Sequence, residues 1–591
     1  MSEPPILKVI HGQPNPAGMA GAQVFLFEGD ATRERVKEIL PAPGVTLPQK
    51  RDDLDQTVFR LKVVHINDLH GHVVRFHTEP AIPVFSRIVH RIRRLRAQAR
   101  ETENMAVLAL SAGDDLVGTV LDELLGEDPA SYEMHAGYRL YSAAGIDAST
   151  VGNHDLDMGS ELLAHAIRTD AHFPILSANL TGSRYLQDAY CPAALFVVQG
   201  VRIGVIGLST PAAVKPQADT GLHVVNPVQV AHNILPAIRP LADVLIVLSH
   251  LGYNLQSTTG SVSEAGDVEL AQSLPPRSVQ LIVGGHTHHV LNEQGLTANN
   301  IVNGIPIVQA GTLGTFVGEV DIMLRNGCAA VTNARLTPTA NLAVDEEFEA
   351  EIVQPIVRKT EPYFVEPLGT VDDHPDLTTD AVRNLFSSEE SALANFITDA
   401  LVYRTRANGY NVDFAAIDTS CIRCGLPTGG HLVFSDWFRI MPFPDAIRLC
   451  WLTGRQLQEL LDDNARRADR PDEPHTERGF LQFSHHVRYT IELGQSRAAA
   501  SAVDISLNDR PIEEQWERSF LMACSNFTRR PARSWEAFAR RYYEPRIFDL
   551  TQLPHLDPHL FLRDELVTYI KEKGGVTEAG GARRDGRVRF I

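Results

Sequence analysis

From Thr57 onward, short runs of aliphatic and β-branched residues alternate with longer stretches of amphipathic spacing. Val58–Ile66, Met105–Leu110, Ala148–Val151, Val244–Leu248 and Val279–Val283 have the length and composition of strands. Val84–Ala99 and Pro227–Ala242 space their apolar residues as helices do. The alternation predicts an α/β domain. Each strand-like run ends in polar residues: Asn67-Asp68-Leu69-His70, Gly113-Asp114, Gly152-Asn153-His154-Asp155, Ser249-His250 and Gly284-Gly285-His286-Thr287-His288. In open α/β sheets the carboxyl edge of the strands is where ligands bind. Loops far apart in sequence are therefore expected to converge on one site.

The same pattern divides the chain. Residues 1–55 form a turn-rich extension with a short helical pattern near Arg33–Leu40. A first α/β domain spans 56–342, and a charged linker helix lies within 343–367, its pattern running over Asp345–Thr360. Pro362, Pro367 and Gly369 punctuate the chain, and a second α/β domain spans 368–591. The glycine-rich, charged stretch Gly574–Arg587 reads as a mobile or β-turn end. The helix Phe85–Arg100 carries six arginines beside an apolar stripe of Ile88, Ile92 and Leu95, and its basic side reads as a solvated face.

Composition narrows the function. A formal net charge of −19 argues against a general nucleic-acid binder, because phosphate backbones repel such a surface. It leaves room for a small anionic substrate if bound cations reverse the local field. No run is apolar for long enough to span a membrane, so no membrane partner is expected. The first residues lack a basic start and a continuous apolar stretch, which predicts a cytoplasmic location, or a periplasmic one if the N-terminus is processed or mis-started. Six cysteines in 591 residues do not make a disulfide framework, and Cys421-x-x-Cys424 has no second pair at zinc-binding distance. Composition leaves the oligomeric state open.

The strand-end residues have the chemistry of a dinuclear metal site. Hydrolysing a phosphate ester requires a nucleophile stronger than water and a counter to the negative charge that builds on the phosphoryl oxygens. Two cations about 3.5–4 Å apart supply both. Such a centre needs oxygen and imidazole ligands with one carboxylate able to bridge. Asp68-x-His70 offers two ligands at a strand end, Asp114 follows a flexible glycine, Asn153 offers a neutral oxygen, and His250, His286 and His288 complete the set. With no thiolate among them, two divalent ions such as Mn, Zn, Fe or Co suit the site. Asp115, His72 and His289 lie beside these motifs without occupying a ligand position.

Asp-x-His, Gly-Asp, Gly-Asn-His-Asp, Ser-His-x-Gly and Gly-His-x-His, in that order, resemble the calcineurin-like metallophosphoesterase superfamily. Ile66–Gly71 and Gly152–Asp157 are similar to its 5′-nucleotidase and UDP-sugar hydrolase branch. The resemblance implies a four-layer α/β/β/α metallophosphatase domain at 56–342 and a substrate-binding 5′-nucleotidase-type domain at 368–591. It implies one metal on Asp68, His70, Asp114 and His288, and a second on Asp114, Asn153, His250 and His286. It also implies that His154, oriented by Asp157, assists the reaction as the catalytic pair.

The resemblance extends to the second domain, through Ser391–Ala400, Ile422-Arg423, Phe434–Asp436, Met441-Pro442-Phe443 and Leu452-Thr453-Gly454. It implies that Arg423, Phe443, Phe527 and Asn153 contact a small phosphorylated, nucleotide-like substrate, with the two aromatics stacking on its planar part. Here the chain departs from the family. Asp418 replaces an asparagine, Glu389 or its neighbour replaces an arginine, and Thr528–Arg533 replaces a glycine-rich segment. Arg529, Arg530 and Arg533 read as solvated surface charges. The expected function is a metal-dependent phosphomonoesterase of 5′-nucleotidase type. The alternatives are a 2′,3′-cyclic-nucleotide phosphodiesterase or nucleotide-sugar pyrophosphatase, and a non-catalytic ligand-binding member of the family.

Overall fold

The computed structural model describes residues 6–47, 58–75, 82–126, 128–211, 221–254, 265–384, 387–441, 445–471, 479–529, 548–556, 558 and 560–591. The chain divides after Thr360 into two compact units.

In the first unit the strands and helices follow in chain order. β1 (Ile6–Gly12), β2 (Gln23–Glu28) and β3 (Glu38–Pro41) precede β4 (Phe59–Ile66), α1 (Phe85–Glu101), β5 (Met105–Ser111) and α2 (Ala136–Ala144). β6 (Ala148–Thr150), α3 (Ser160–Asp170), β7 (Ile175–Leu176), β8 (Ala193–Val198) and β9 (Val201–Ser209) come next. Then come α4 (Pro227–Ile238), β10 (Val244–His250), α5 (Asp267–Ser273) and β11 (Leu281–Val283). β12 (Ile301–Val302), β13 (Ile305–Val308), β14 (Phe316–Arg325) and β15 (Cys328–Pro338) close the unit.

These strands form two sheets, one in the order β12-β13-β11-β10-β9-β8-β2-β1-β3 and the other in the order β15-β14-β4-β5-β6-β7. One apolar core lies between them: Leu61, Val63, Leu108 and Leu110 of the second sheet meet Phe196, Ile203, Ile246 and Leu248 of the first. The opposite side of the first sheet buries Leu195, Ile206, Leu245 and Val247 against Val230, Ile234 and Ile238 of α4 and Leu270 of α5. With α1 burying Ile88, Ile92 and Leu95 on the other side, the layers run α/β/β/α. β4, β5 and β6 run parallel, as do β9, β10 and β11, so both sheets bring their strand ends to the same kind of edge.

Three expectations change. No helix forms over Arg33–Leu40. Asp30 accepts the Thr32 N–H at 2.7 Å in a side-chain turn, the Val36 N–H goes to Asn233 O at 3.0 Å, and Glu38–Pro41 pairs in parallel with β1. The extension thus adds three strands to the first sheet, with β2 paired to β8.

The arginine face of α1 is solvated only in part: Arg93, Arg94 and Arg100 are exposed, whereas Arg87, Arg91 and Arg96 are drawn into contacts. Arg91 grips Glu319 through two bonds of 2.8 and 2.9 Å. Arg93 holds Asp345, and the buried Arg96 bonds Asp147, Ala17 O and Gly145 O. These contacts tie α1 to the sheet, the extension and the start of the linker. The linker itself is helical over Glu346–Phe348 and Gln354–Arg358, with a π-helical turn at Glu349–Val353 between them.

Of the two readings of Gly574–Arg587, the β-turn holds, with Gly580 N–H bonding Thr577 O at 3.0 Å, and the stretch is fastened rather than mobile. Gly575–Val576 pairs with Pro367–Val371. Glu390 accepts the backbone N–H groups of Asp585 and Gly586 at 2.7 and 2.8 Å, and the buried Arg587 bonds both Asp399 and Asp585. The second unit is otherwise an α/β fold, its five-stranded sheet built around Phe414–Asp418, Ser519–Ser525 and Ile447–Thr453.

Candidate metal centre

Asp68, His70, Asp114, His286 and His288 all have positive φ, between 49° and 74°. A left-handed conformation costs a side-chain-bearing residue of order 1 kcal/mol, so the surroundings must enforce it. They do so by crossing the loops. Asp68 N–H bonds Gly113 O and His70 N–H bonds Asp114 O, both at 3.0 Å, and Leu313 N–H bonds Asp68 O at 2.8 Å. Gly113 itself has φ 83°, and at Gly152 a Cβ would stand 2.1 Å from Asp114 Oδ1. Only glycine allows that approach of the β6 end to the β5 end.

The result is one cluster. His288 Nε2 lies 3.2 Å from Asp68 Oδ1, and His250 Nε2 lies 3.1 Å from Asp114 Oδ2. His70 Nε2 stands 4.0 Å from Asp68 Oδ1 and 3.8 Å from Asp114 Oδ2. Two overlapping sets have ligand atoms mutually within 4.8 Å: Asp68, His70 and His288, and Asp68, Asp114 and His250. The carboxylate common to both is Asp68, while Asp114 also reaches imidazoles on either side. Asn153 Oδ1 joins at 2.8 Å from His286 Nδ1 and 3.2 Å from His250 Nε2. All seven side chains named from the sequence therefore meet at one place.

The donor set fits a pair of divalent cations. Asp68 and Asp114 are buried side by side, and among the described residues their ion pairs are to histidine alone. His70 Nδ1 bonds Val117 O at 3.0 Å and His250 Nδ1 bonds Ala112 O at 2.6 Å, which turns each Nε2 inward. Burial alone would raise both carboxylates. The charges of His288 on Asp68 and of His250 on Asp114 outweigh it and hold them low. Burial pushes His70 down to about 4 and His286 to about 3. His250 runs the other way: burial lowers it, but Asp114 lifts it to about 10.

Beside the cluster, His154 Nδ1 bonds Asp157 Oδ2 at 2.7 Å, and its ring lies edge-on to His70 with centroids 5.2 Å apart. Burial would lower His154, but Asp114 and Asp157 together raise it to about 9. Asp114 Oδ1 accepts the His154 N–H at 2.9 Å, so the bridging candidate and the imidazole are coupled through the backbone.

Three further groups hold these ligands, and residue type alone does not reveal them. Asp155 is fully buried and accepts the N–H groups of Asp114, Asp115 and Gly152 at 3.1, 3.1 and 2.8 Å. Asn67 donates to Asp68 Oδ2 at 2.7 Å. Asp267 accepts the Ser249 hydroxyl at 2.5 Å, next to His250. Asp115 sits behind the cluster on the hydroxyls of Ser111 and Ser149. His72 and His289 bond a backbone carbonyl and Thr287, respectively.

The second unit holds the other candidates. Arg423 is exposed, and its N–H is anchored on Ile440 O at 2.8 Å. Its charge acts on the Cys424 thiol together with those of Arg383 and Arg439, although burial dominates and raises that thiol. The Asp436 carboxylate acts on the same thiol in the opposite sense, and Arg383 bonds Ile422 O at 3.2 Å, beside Arg423 in the chain. Asp418 caps the Ser420 N–H at 3.0 Å, and Phe527 is half-buried. Phe443, Arg530 and Arg533 lie outside the described residues. Arg529 is not a free surface charge: it bonds Thr551 O at 2.9 Å and His555 Nδ1 at 3.0 Å.

With the geometry in view, comparison with known proteins is direct. Residues 61–290 match the calcineurin-like phosphoesterase family, and residues 367–540 match the 5′-nucleotidase C-terminal domain family. The chain belongs to the 5′-nucleotidase family. It is 27% identical to a 5′-nucleotidase of Vibrio cholerae over 71% of this chain and 77% of that one. It is 25% identical to protein UshA of Escherichia coli over 79% of this chain and 85% of that one. The crystal structure of a 5′-nucleotidase precursor from Thermus thermophilus superposes with a TM-score of 0.53 at 23% identity, covering 90% of this chain and 99% of that one. That structure supports the shared fold. As a member of this family, the protein is a metal-dependent phosphoesterase.

Proposed function

We propose that the protein hydrolyses the phosphomonoester of a nucleotide or a closely related phosphorylated metabolite. The observation that carries this reading is the convergence of Asp68, His70, Asp114, His250 and His288 beside the His154–Asp157 pair. Asn153 and His286 extend the donor set. When bound, a divalent pair neutralises phosphoryl charge and makes water a stronger nucleophile. The chain's own part is positional. Asp157 fixes the His154 tautomer through Nδ1, so Nε2 is the nitrogen left to meet a phosphoryl oxygen or a departing alcohol. Protonated, His154 can stabilise the developing charge and give its proton to the leaving oxygen.

The names of the relatives support a nucleotide as substrate: a 5′-nucleotidase in Vibrio cholerae and a 5′-nucleotidase precursor in Thermus thermophilus. Arg423, exposed and planar, offers paired donors suited to an anionic part of such a substrate. Phe527 would offer a stacking face, and Phe443 is the second aromatic of this proposal.

The test is phosphate release by manganese- or cobalt-loaded protein from nucleoside 5′-monophosphates, 2′,3′-cyclic nucleotides and UDP-glucose. Release from the monophosphates at the highest kcat/KM is expected. Preferential opening of cyclic nucleotides or cleavage of the sugar nucleotide would instead assign the diesterase or pyrophosphatase reading. Metal binding without turnover on any of these would leave a ligand-binding member.

A further inference from the structure

A second charged site lies on the first unit, away from the metal centre. Strands β4, β14 and β15 and helix α1 line an open cavity of about 380 Å³. That volume lies in the range of small-molecule pockets. Its lining begins at Arg60 and Lys62, at the start of β4, whereas Asp68 follows that strand's end. An extended run from Arg60 to Ile66 covers about 20 Å, so the cavity and the metal centre sit at opposite edges of the sheet.

Four cations, Arg60, Lys62, Arg91 and Arg335, line the cavity with one carboxylate, Asp321, and a second, Glu319, is buried behind the lining against Arg91 and Arg335. Glu319 has no exposed side-chain surface, and Arg91 matches it with two parallel bonds. Lys62 lies 2.5 Å from Asp321. These two pairs balance, and Arg335 and Arg60 are surplus. Arg335 uses one N–H on Glu319 at 2.7 Å and is 45% exposed, so most of its five donors remain available. No ion pair to Arg60 occurs among the described residues. Stabilising Glu319 does not require this excess, and it arises in a chain of net charge −19. The rest of the lining is partly apolar, through Leu95, Met105 and Met323.

We propose that this cavity binds a phosphoryl dianion, with Arg60 and Arg335 on its oxygens and the methionine-lined side against any organic group it carries. Two excess positive charges match a phosphomonoester or free phosphate at neutral pH, and arginine presents paired donors to such oxygens. The site acts as an effector or product site separate from turnover.

The test is calorimetric titration of the metal-loaded full chain with a non-hydrolysable nucleoside methylenephosphonate and, separately, with inorganic phosphate. Two sites per chain are expected for the phosphonate. R60E and R335Q should each weaken one of them by about tenfold or more and leave the other in place. Turnover by R60E without added anion should stay within about twofold of the unaltered protein. Tighter binding of the phosphonate than of phosphate at the affected site identifies an ester as occupant, and equal binding identifies the free anion. A single site in the unaltered protein, or two sites that both variants leave unchanged, overturns the proposal. If either variant fails to fold by circular dichroism, phenylglyoxal labelling of the unaltered protein decides. Protection of Arg60 by the phosphonate supports the site, and labelling at the unprotected rate refutes it.

Discussion

The loops that follow Ile66 and Ser111 in the first unit and the loop that follows Asp418 in the second all leave a strand end, yet they hold their charges differently. In the first unit Asp68 and Asp114 are buried, strained in φ, and fixed by main-chain bonds from the neighbouring loops. In the second, Arg423 is exposed, and among the described residues its guanidinium bonds a carbonyl three residues away at 3.2 Å. A cluster that must hold two cations at fixed spacing needs its ligands fixed before the ions arrive. A side chain that recognises a substrate group can be ordered by the substrate itself. On the proposed function, chemistry would belong to the rigid loops and substrate selection to the more open one.

The largest effect expected from breaking the rigid side is that of Asp114→Asn. Losing a carboxylate that reaches imidazoles on both sides should lower kcat/KM by about three orders of magnitude or more, measured on metal-loaded protein. Next comes His154→Ala, which should cost about 10²–10³-fold in kcat with little change in KM. An unchanged kcat would remove His154 from the reaction. Asp155→Asn probes the main-chain clamp without touching a ligand atom. Its amide would point an N–H at backbone donors, and metal affinity should fall about 10–100-fold in a chelator competition.

On the adaptable side, Arg423→Ala should raise KM about tenfold and leave kcat within about twofold, the signature of lost uniform binding. An equal fall in kcat would mean that the two loop systems do not differ as described. The smallest signal concerns protons. In the metal-free protein His250, raised to about 10, is protonated at neutral pH, and it must release that proton to offer a lone pair. Metal loading at pH 7 should therefore release about one proton per chain or more, read as heat that varies with the ionisation enthalpy of the buffer. The release should shrink as pH rises through 10, where His250 is already neutral.

The cluster was legible because metal ligands come from few residue types and follow hydrophobic runs that are themselves easy to read. Asp68, His70, Asp114, His250 and His288 each stand just past, or at the end of, such a run. The groups that hold them were not. Asp155 serves by accepting three N–H bonds, and nothing in the identity of an aspartate separates that role from capping or coordination. The arginines of α1 mislead for a related reason. Their spacing is that of a wet helix face, while the partners that hold Arg91 and Arg93, Glu319 and Asp345, lie more than two hundred residues further on. In the second unit, the replacement of an arginine by Glu389 or its neighbour reads as a departure from the family pattern, and Glu390 follows directly. In the structure both glutamates fasten the C-terminal stretch, through Arg584 and the Asp585–Gly586 backbone.

The place of β2 has a consequence for how the chain is made. Phe27 finds its partner at Ala193 and Gln23 at Val197, so the β1–β2 pair waits for roughly 170 further residues to be synthesised before its open flank is covered. At ordinary translation speeds that wait is on the order of ten to thirty seconds. Throughout it, an edge bearing Phe25 and Phe27 stays available to chaperones or to other nascent chains, and the yield of folded protein depends on what meets it first.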